Sequence, residues 1–270
     1  MKVKPLLALI AAKTILWIRS GIPVIVPSLL LACYVNASGV NVVTWDNWEM
    51  VIVLQKFMNG SLSVSDLYAQ SNEHRLFFPK IAMLIIERST SLNKVAEMFF
   101  SWFLLSLSGL LILRMCYVKS CLQTHRRWLI FMPASLFLFS FSQWEGILSG
   151  YICQIYMMIL GVVASFYFLE KSKSIDICLV LSILSGVFAS FSFMTGLMVW
   201  PVGLVHIVIS RNLRVPRATL WCFLAILVFG SYFYGWVLSD YLSVGYTLTN
   251  PLDGVGYFLV LLGGPFVGVV

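Results

Sequence analysis

Asp46 and Glu49 stand three residues apart in the stretch TWDNWEM, Thr44 to Met50, directly after the first long apolar run of the chain. A carboxylate in such a place can act as a general base, taking the proton from an attacking hydroxyl. The same D-x-x-E spacing also starts helices. Asp46 would then cap, and Glu49 at the third helical position would reach back to the capping amide. A spacing of three puts both acids on one helix face. Capping is the commoner use of the pattern, and it is compatible with catalysis for Glu49 more than for a carboxylate already tied to amides.

A second group follows in QSNEHRLFFPK, where Glu73, His74, Arg75 and Lys80 bring acids or bases and cations around a turn that Pro79 helps to fix. Taken singly, such charges read as a solvated loop; their density before an apolar helix points to a site. The third group is SQWEG, Ser142 to Gly146, with Gln143 and Glu145 on a short turn free of basic residues. A lone acid between two apolar runs either marks the membrane boundary or is kept for use. His206 reads as a packing residue, His125 as solvated, and Trp200-Pro201 as an interfacial anchor and kink.

These residues are carried by a chain that cannot be soluble. Of its 270 residues 60% are hydrophobic and 11% charged, against about 25% charged in soluble domains. The mean hydropathy is +0.93. That much apolar surface must face lipid. The apolar runs are 18–35, 96–118, 128–141, 152–169, 177–193, 197–210, 220–238 and 255–270. Each is a candidate span, the third and sixth only by drawing in neighbours such as 142–147 and 193–196. The expected architecture is all-α: one polytopic membrane domain over 1–270 with about eight spans.

The last run, at about 1.5 Å per residue, reaches short of a roughly 30 Å hydrocarbon core, so it reads as an incomplete span and the chain as a fragment. The run ending LLLAC at Cys33 loosely resembles a lipoprotein cleavage box. Arg19 lies close before it, and later spans would make a lipid anchor redundant, so it reads as a retained first helix.

Thirteen Lys and Arg fall at the N-terminus and in the turns on its side, against five on the other, which places the N-terminus in the cytoplasm. Nine of the eleven acids lie on the opposite, outward side. Insertion does not explain that bias, so it points to function. The basic residues punctuate apolar runs rather than cluster, which excludes a nucleic-acid binder. The six cysteines form no CxxC pair and read as core residues. The outward segment 38–95 is too apolar for a soluble domain. WDNWEMVIVLQKFMNG and RLFFPKIAMLIIERS read as two interfacial helices joined by the turn NGSLSVSD, with Ser63-x-x-Asp66 as a capping box. NAS at Asn36 and NGS at Asn59 match the glycosylation triplet that arises often by chance.

The series WDNWEM, NEHRLFFPK, QWEG and GLMVWPVGL, on a first helix entering from the cytoplasm followed by a large outward loop, resembles the GT-C superfamily of polytopic membrane glycosyltransferases, most closely a bacterial group within it. The resemblance spans most of the chain, though its motifs are short. It implies a bacterial inner-membrane enzyme that moves a sugar from a polyprenyl-phosphate-linked donor to an acceptor on the outward face. It also implies Asp46 as the catalytic base, with Glu49 its nearest rival. Arg75 would bind the donor phosphate with His74 and Lys80, while Glu73, Gln143 and Glu145 would orient the sugar; Glu73 and Glu145 would position a divalent metal if one is used, which the sequence does not indicate. Two other readings stand beside it: a transporter or flippase of lipid or solute, and an inactive membrane subunit. Transporters place charge near the midplane, whereas the centres of these runs are almost free of it.

Overall fold

The computed structural model describes residues 3–119, 124–210, 215–238 and 249–263, with side chains from 21 onward except 117–130. Cys121, Asp240 and the end of the last apolar run, 264–270, lie outside the described residues, as do the side chains of Lys13, Arg19 and His125. Among the described residues the protein is all-α apart from one two-residue hairpin.

The first helix, α1 (Val3–Ser38), leads into an insertion made of α2 (Asn47–Met58), α3 (Val64–Tyr68), the hairpin β1 (Gln70–Ser71) and β2 (His74–Arg75), and α4 (Phe77–Thr90). Then come α5 (Lys94–Lys119), α6 (Thr124–Leu138), the one-turn α7 (Trp144–Ile147), α8 (Cys153–Lys171), α9 (Ile177–Ser190), α10 (Val199–Ile209), α11 (Val215–Phe233) and α12 (Pro251–Gly263). Four segments are long and apolar enough to cross a bilayer: Gly21–Ser38, Lys94–Cys116, Gly150–Lys171 and Val215–Phe233. The protein is therefore an integral membrane protein. Three of the remaining runs form shorter apolar helices, Ile177–Ser190, Met194–Ile209 and Pro251–Gly263. The third run does not extend through 142–147 as a span. Its helix stops at Leu138, and two 3-10 turns and α7 follow.

Lipid offers no hydrophobic drive for one helix to join another, so small residues and polar pairs supply the glue. Pro27 in α1 lacks the N–H that would meet the Pro23 carbonyl, and the Ser135 hydroxyl of α6 donates to that carbonyl instead. Trp102 of α5 donates its indole N–H to the Ser28 carbonyl at 2.8 Å, and the Ser28 and Ser106 hydroxyls pair at 2.7 Å. Between α8 and α9, Ser165 and Ser182 each donate to the other's carbonyl, at 2.9 and 2.8 Å. The small side of α1 is thus bound to α5 and α6, while Ile22, Ile25, Val26, Leu29 and Leu30, at helical spacing, are left to face lipid.

Two expectations about prolines and tryptophans change. Pro79 is the third residue of α4, where its missing N–H would have had no intrahelical partner, so it opens the helix rather than fixing a turn. Trp200 is not an interfacial anchor. It is 1% exposed and packs on Trp221 with ring centres 5.0 Å apart. Among the described residues Trp45, Trp48 and Trp144 are the exposed tryptophans, at 91%, 60% and 43%.

Candidate functional site

The insertion forms the two expected helices, and its turn carries the expected capping box: Asp66 N–H donates to Ser63 Oγ, and Ser63 N–H donates to Asp66 Oδ2. Lys56 also bonds Asp66, which holds that carboxyl well below the usual carboxylate range. α2 turns Asn47, Met50 and Val53 inward, one residue per turn, onto α4.

The helix start at Asp46 departs from expectation. Asp46 occupies the N-cap position, but its backbone is helical (φ −65°, ψ −10°) and its side chain makes no capping bond. The physical reason lies one residue earlier. Trp45 takes a left-handed φ of 50°, so a tight turn closes the helix end through the Asn47 N–H to Thr44 carbonyl bond. The Asp46 carboxylate is exposed and free of the amides that would have occupied it.

Glu49, one turn on and half-buried, accepts a hydrogen bond from the Tyr151 hydroxyl at 3.4 Å. Tyr151 also lies within electrostatic reach of Asp46 and within hydrogen-bonding reach of the Ser71 hydroxyl. Glu49 is in turn felt by the Lys80 ammonium. The site thus draws Asp46 and Glu49 from α2, Ser71 from β1, Lys80 from α4 and Tyr151 from the turn entering α8. Ser71 and Tyr151 were not singled out in the sequence. The available signal was SGYIC, a tyrosine at the start of an apolar run on the acid-rich side.

The cations are placed differently from the phosphate ligands expected. Arg75 is 4% exposed, and its Nε, Nη1 and Nη2 donate to the carbonyls of Tyr232, Tyr68 and Tyr234 at 2.6, 2.9 and 2.5 Å. It clamps the C-terminal end of α11, where a cation also meets the negative end of the helix dipole. The neighbouring bonds serve the same junction: Tyr232 hydroxyl and Trp236 indole both donate to the Glu73 carbonyl, and Gln70 exchanges two bonds with Val237. Lys80 donates to the last carbonyls of α3, Ala69 at 2.9 Å and Asp66 at 3.3 Å. Burial pushes its pKa down, while Glu49 and Asp66 pull it up and Arg75 pushes it down further. Lys80 therefore stands behind Glu49 as a buried positive charge, and Arg75 lies within electrostatic reach of Lys80.

His74 packs its ring on Phe193 with centres 3.8 Å apart, and its Nδ1 is buried without a partner. Burial lowers its pKa, and Glu73 opposes that only in part. A histidine whose folded value lies below its unfolded one, about 6.5, binds fewer protons in the native state. The stability this contributes is present above that pH and is lost as pH falls through the window below it. The unfolding temperature should therefore drop on acidification from pH 7.5 to 5, and His74→Phe should flatten that part of the profile. A profile unchanged by the substitution would assign the slope elsewhere.

Gln143 and Glu145 are not brought to this site by any hydrogen bond or ion pair among the described residues. Gln143 donates to the Phe137 and Leu138 carbonyls at the end of α6, and Glu145 is exposed on α7.

Beside the site lies a group that sequence reasoning passed over. Lys94, at the start of α5, donates to Glu87 of α4 and to Glu97 of its own first turn, the latter at 2.8 Å. All three side chains are at most 1% exposed. The clue was Glu87 sitting seven residues after Lys80 in the apolar stripe Lys80-Met83-Leu84-Glu87 of α4. Gly150 packs directly on Glu97, where a Cβ would meet Oε2 at 2.3 Å, and the next residue is Tyr151. The buried charges thus set the turn that aims the tyrosine at Glu49.

Among the described residues, no three His, Cys, Asp or Glu side chains are grouped as a metal-ligand set. No protein-family model matches the chain, and no curated protein or solved structure matches it.

Proposed function

We propose that the protein is a membrane glycosyltransferase of the GT-C type, in a bacterial inner membrane, that transfers a sugar from a polyprenyl-phosphate-linked donor at the outward face. The observation that carries this reading is the Asp46 carboxylate, released from capping and exposed beside Glu49, Tyr151 and a buried positive field. The acceptor hydroxyl attacks the anomeric carbon and gives its proton to Asp46. The new bond joins acceptor oxygen to sugar, and the bond to the donor phosphate breaks with its electron pair leaving on that phosphate. Glu49, held by Tyr151, orients the acceptor. Lys80 and Arg75 favour the departing negative charge through space rather than by contact, since both are buried and turned onto backbone carbonyls.

In membranes supplied with labelled lipid-linked sugar, Asp46→Asn should lower transfer about 100-fold, the low end of base catalysis because Glu49 stands one turn away. Unchanged transfer by a variant with an unchanged unfolding temperature would remove the assignment.

A transporter is the second reading, supported by the Glu87–Lys94–Glu97 group at the end of a span, since sealed ionisable groups mark ion pathways in membranes. Substrate or proton flux in proteoliposomes, abolished by Glu97→Gln while labelled sugar stays untransferred, would favour it over the transferase.

A further inference from the structure

At the opposite end of α8 from Tyr151, the ends of α8, α10 and α11 enclose a cavity of about 560 Å³. One wall is polar, with Lys173, His206, Ser210 and Arg217. The other is apolar, formed by Val202, Val205 and Ile209 of α10, which are 52%, 55% and 77% exposed and so continue into the lipid-facing surface. Arg217 is 3% exposed and donates from Nη1 to the Ser172 carbonyl at 2.9 Å, so its charge is held at the cavity wall by the backbone. Glu170, the acid in the lining, faces His206 at 3.2 Å. Lys173 and Arg217 outnumber Glu170 in the lining, so the polar wall is net positive.

We infer that this cavity binds the headgroup of an anionic phospholipid, its phosphodiester against Lys173 and Arg217 and an acyl chain along Val202, Val205 and Ile209. Charge complementarity selects the headgroup, and continuity of the apolar wall with the lipid face selects a lipid over a soluble anion. Basic pockets between membrane helices recognise such headgroups, each cation near the surface adding several-fold to affinity. The site stands apart from the proposed transfer chemistry and does not depend on it.

The test uses the full chain in neutral detergent, with unfolding temperature read against added phosphatidylglycerol, phosphatidylcholine or inorganic phosphate. Phosphatidylglycerol should raise the unfolding temperature saturably, with the other two giving no shift. Lys173→Ala, at an exposed position, should weaken the apparent affinity about fivefold. Arg217→Gln should weaken it more. Should that variant fail to fold, Ser210→Phe fills the cavity and should abolish the shift. An equal response to phosphatidylcholine, an equal response to phosphate alone, or full binding by both Lys173→Ala and Ser210→Phe would overturn the site.

Discussion

Lys94→Met should cost about 3–5 kcal/mol of stability, enough to leave little folded protein in detergent. The ammonium is the cation that Glu87 and Glu97 both bond, and neither carboxylate reaches solvent. Removing it strands two buried negative charges side by side. Their second oxygens, Oε2 of each, already have no hydrogen-bond partner, so without the ammonium one carboxyl must take up a proton or both stay uncompensated. Glu87→Gln is the contrasting change: it leaves one acid to one amine and should cost far less than Lys94→Met. The triple variant Lys94→Met with Glu87→Gln and Glu97→Gln should recover most of the loss, because a neutral group is cheaper to bury than unpaired charge. Unfolding temperatures of the four proteins decide the matter. Equal stability of Lys94→Met and the parent would mean that these side chains are solvated.

Gly196→Ala should be nearly as damaging, at about 3 kcal/mol, the upper end of what overpacking usually costs. A Cβ there would lie 2.1 Å from the Ala189 carbonyl oxygen, 2.4 Å from its carbon and 2.9 Å from the Ser190 nitrogen. All three are backbone atoms, so no side chain can rotate out of the way. Ala189 is pinned from the other side as well, where a Cβ on Gly161 of α8 would meet its Cβ and nitrogen at 2.9 Å. The last turn of α9 therefore has no direction in which to yield. Gly230→Ala is the matched control: nothing lies within 4 Å of its Cβ position in α11, and the exchange should stabilise by about 0.4–1 kcal/mol. Opposite signs for the two substitutions, read by thermal unfolding, are the expected result.

Several elements were legible in the residues before any coordinates. The helix in RLFFPKIAMLIIERS and the Ser63 capping box depend on neighbours three or four positions apart, and both form. The capping role of Asp46 was read by the same local logic and did not form, because the left-handed Trp45 turns the chain so that backbone alone closes the helix end. Arg75 looked like a free guanidinium because its carbonyl partners at Tyr232 and Tyr234 lie more than 150 positions away in sequence. Glu49 and Tyr151 are likewise 102 positions apart, so no spacing rule could have joined them.

By itself, the sequence determined the solvent this protein lives in and the helical runs that answer to it, because hydropathy and short-range periodicity are properties of adjacent residues. It also announced that charge gathers beside α2 and α4. Which charges are spent on holding helix ends, which are sealed in pairs and which stay open for chemistry was decided only by the tertiary structure. The reason is that the fate of a charge depends on the groups packing brings within a few ångströms, and those come from every part of the chain.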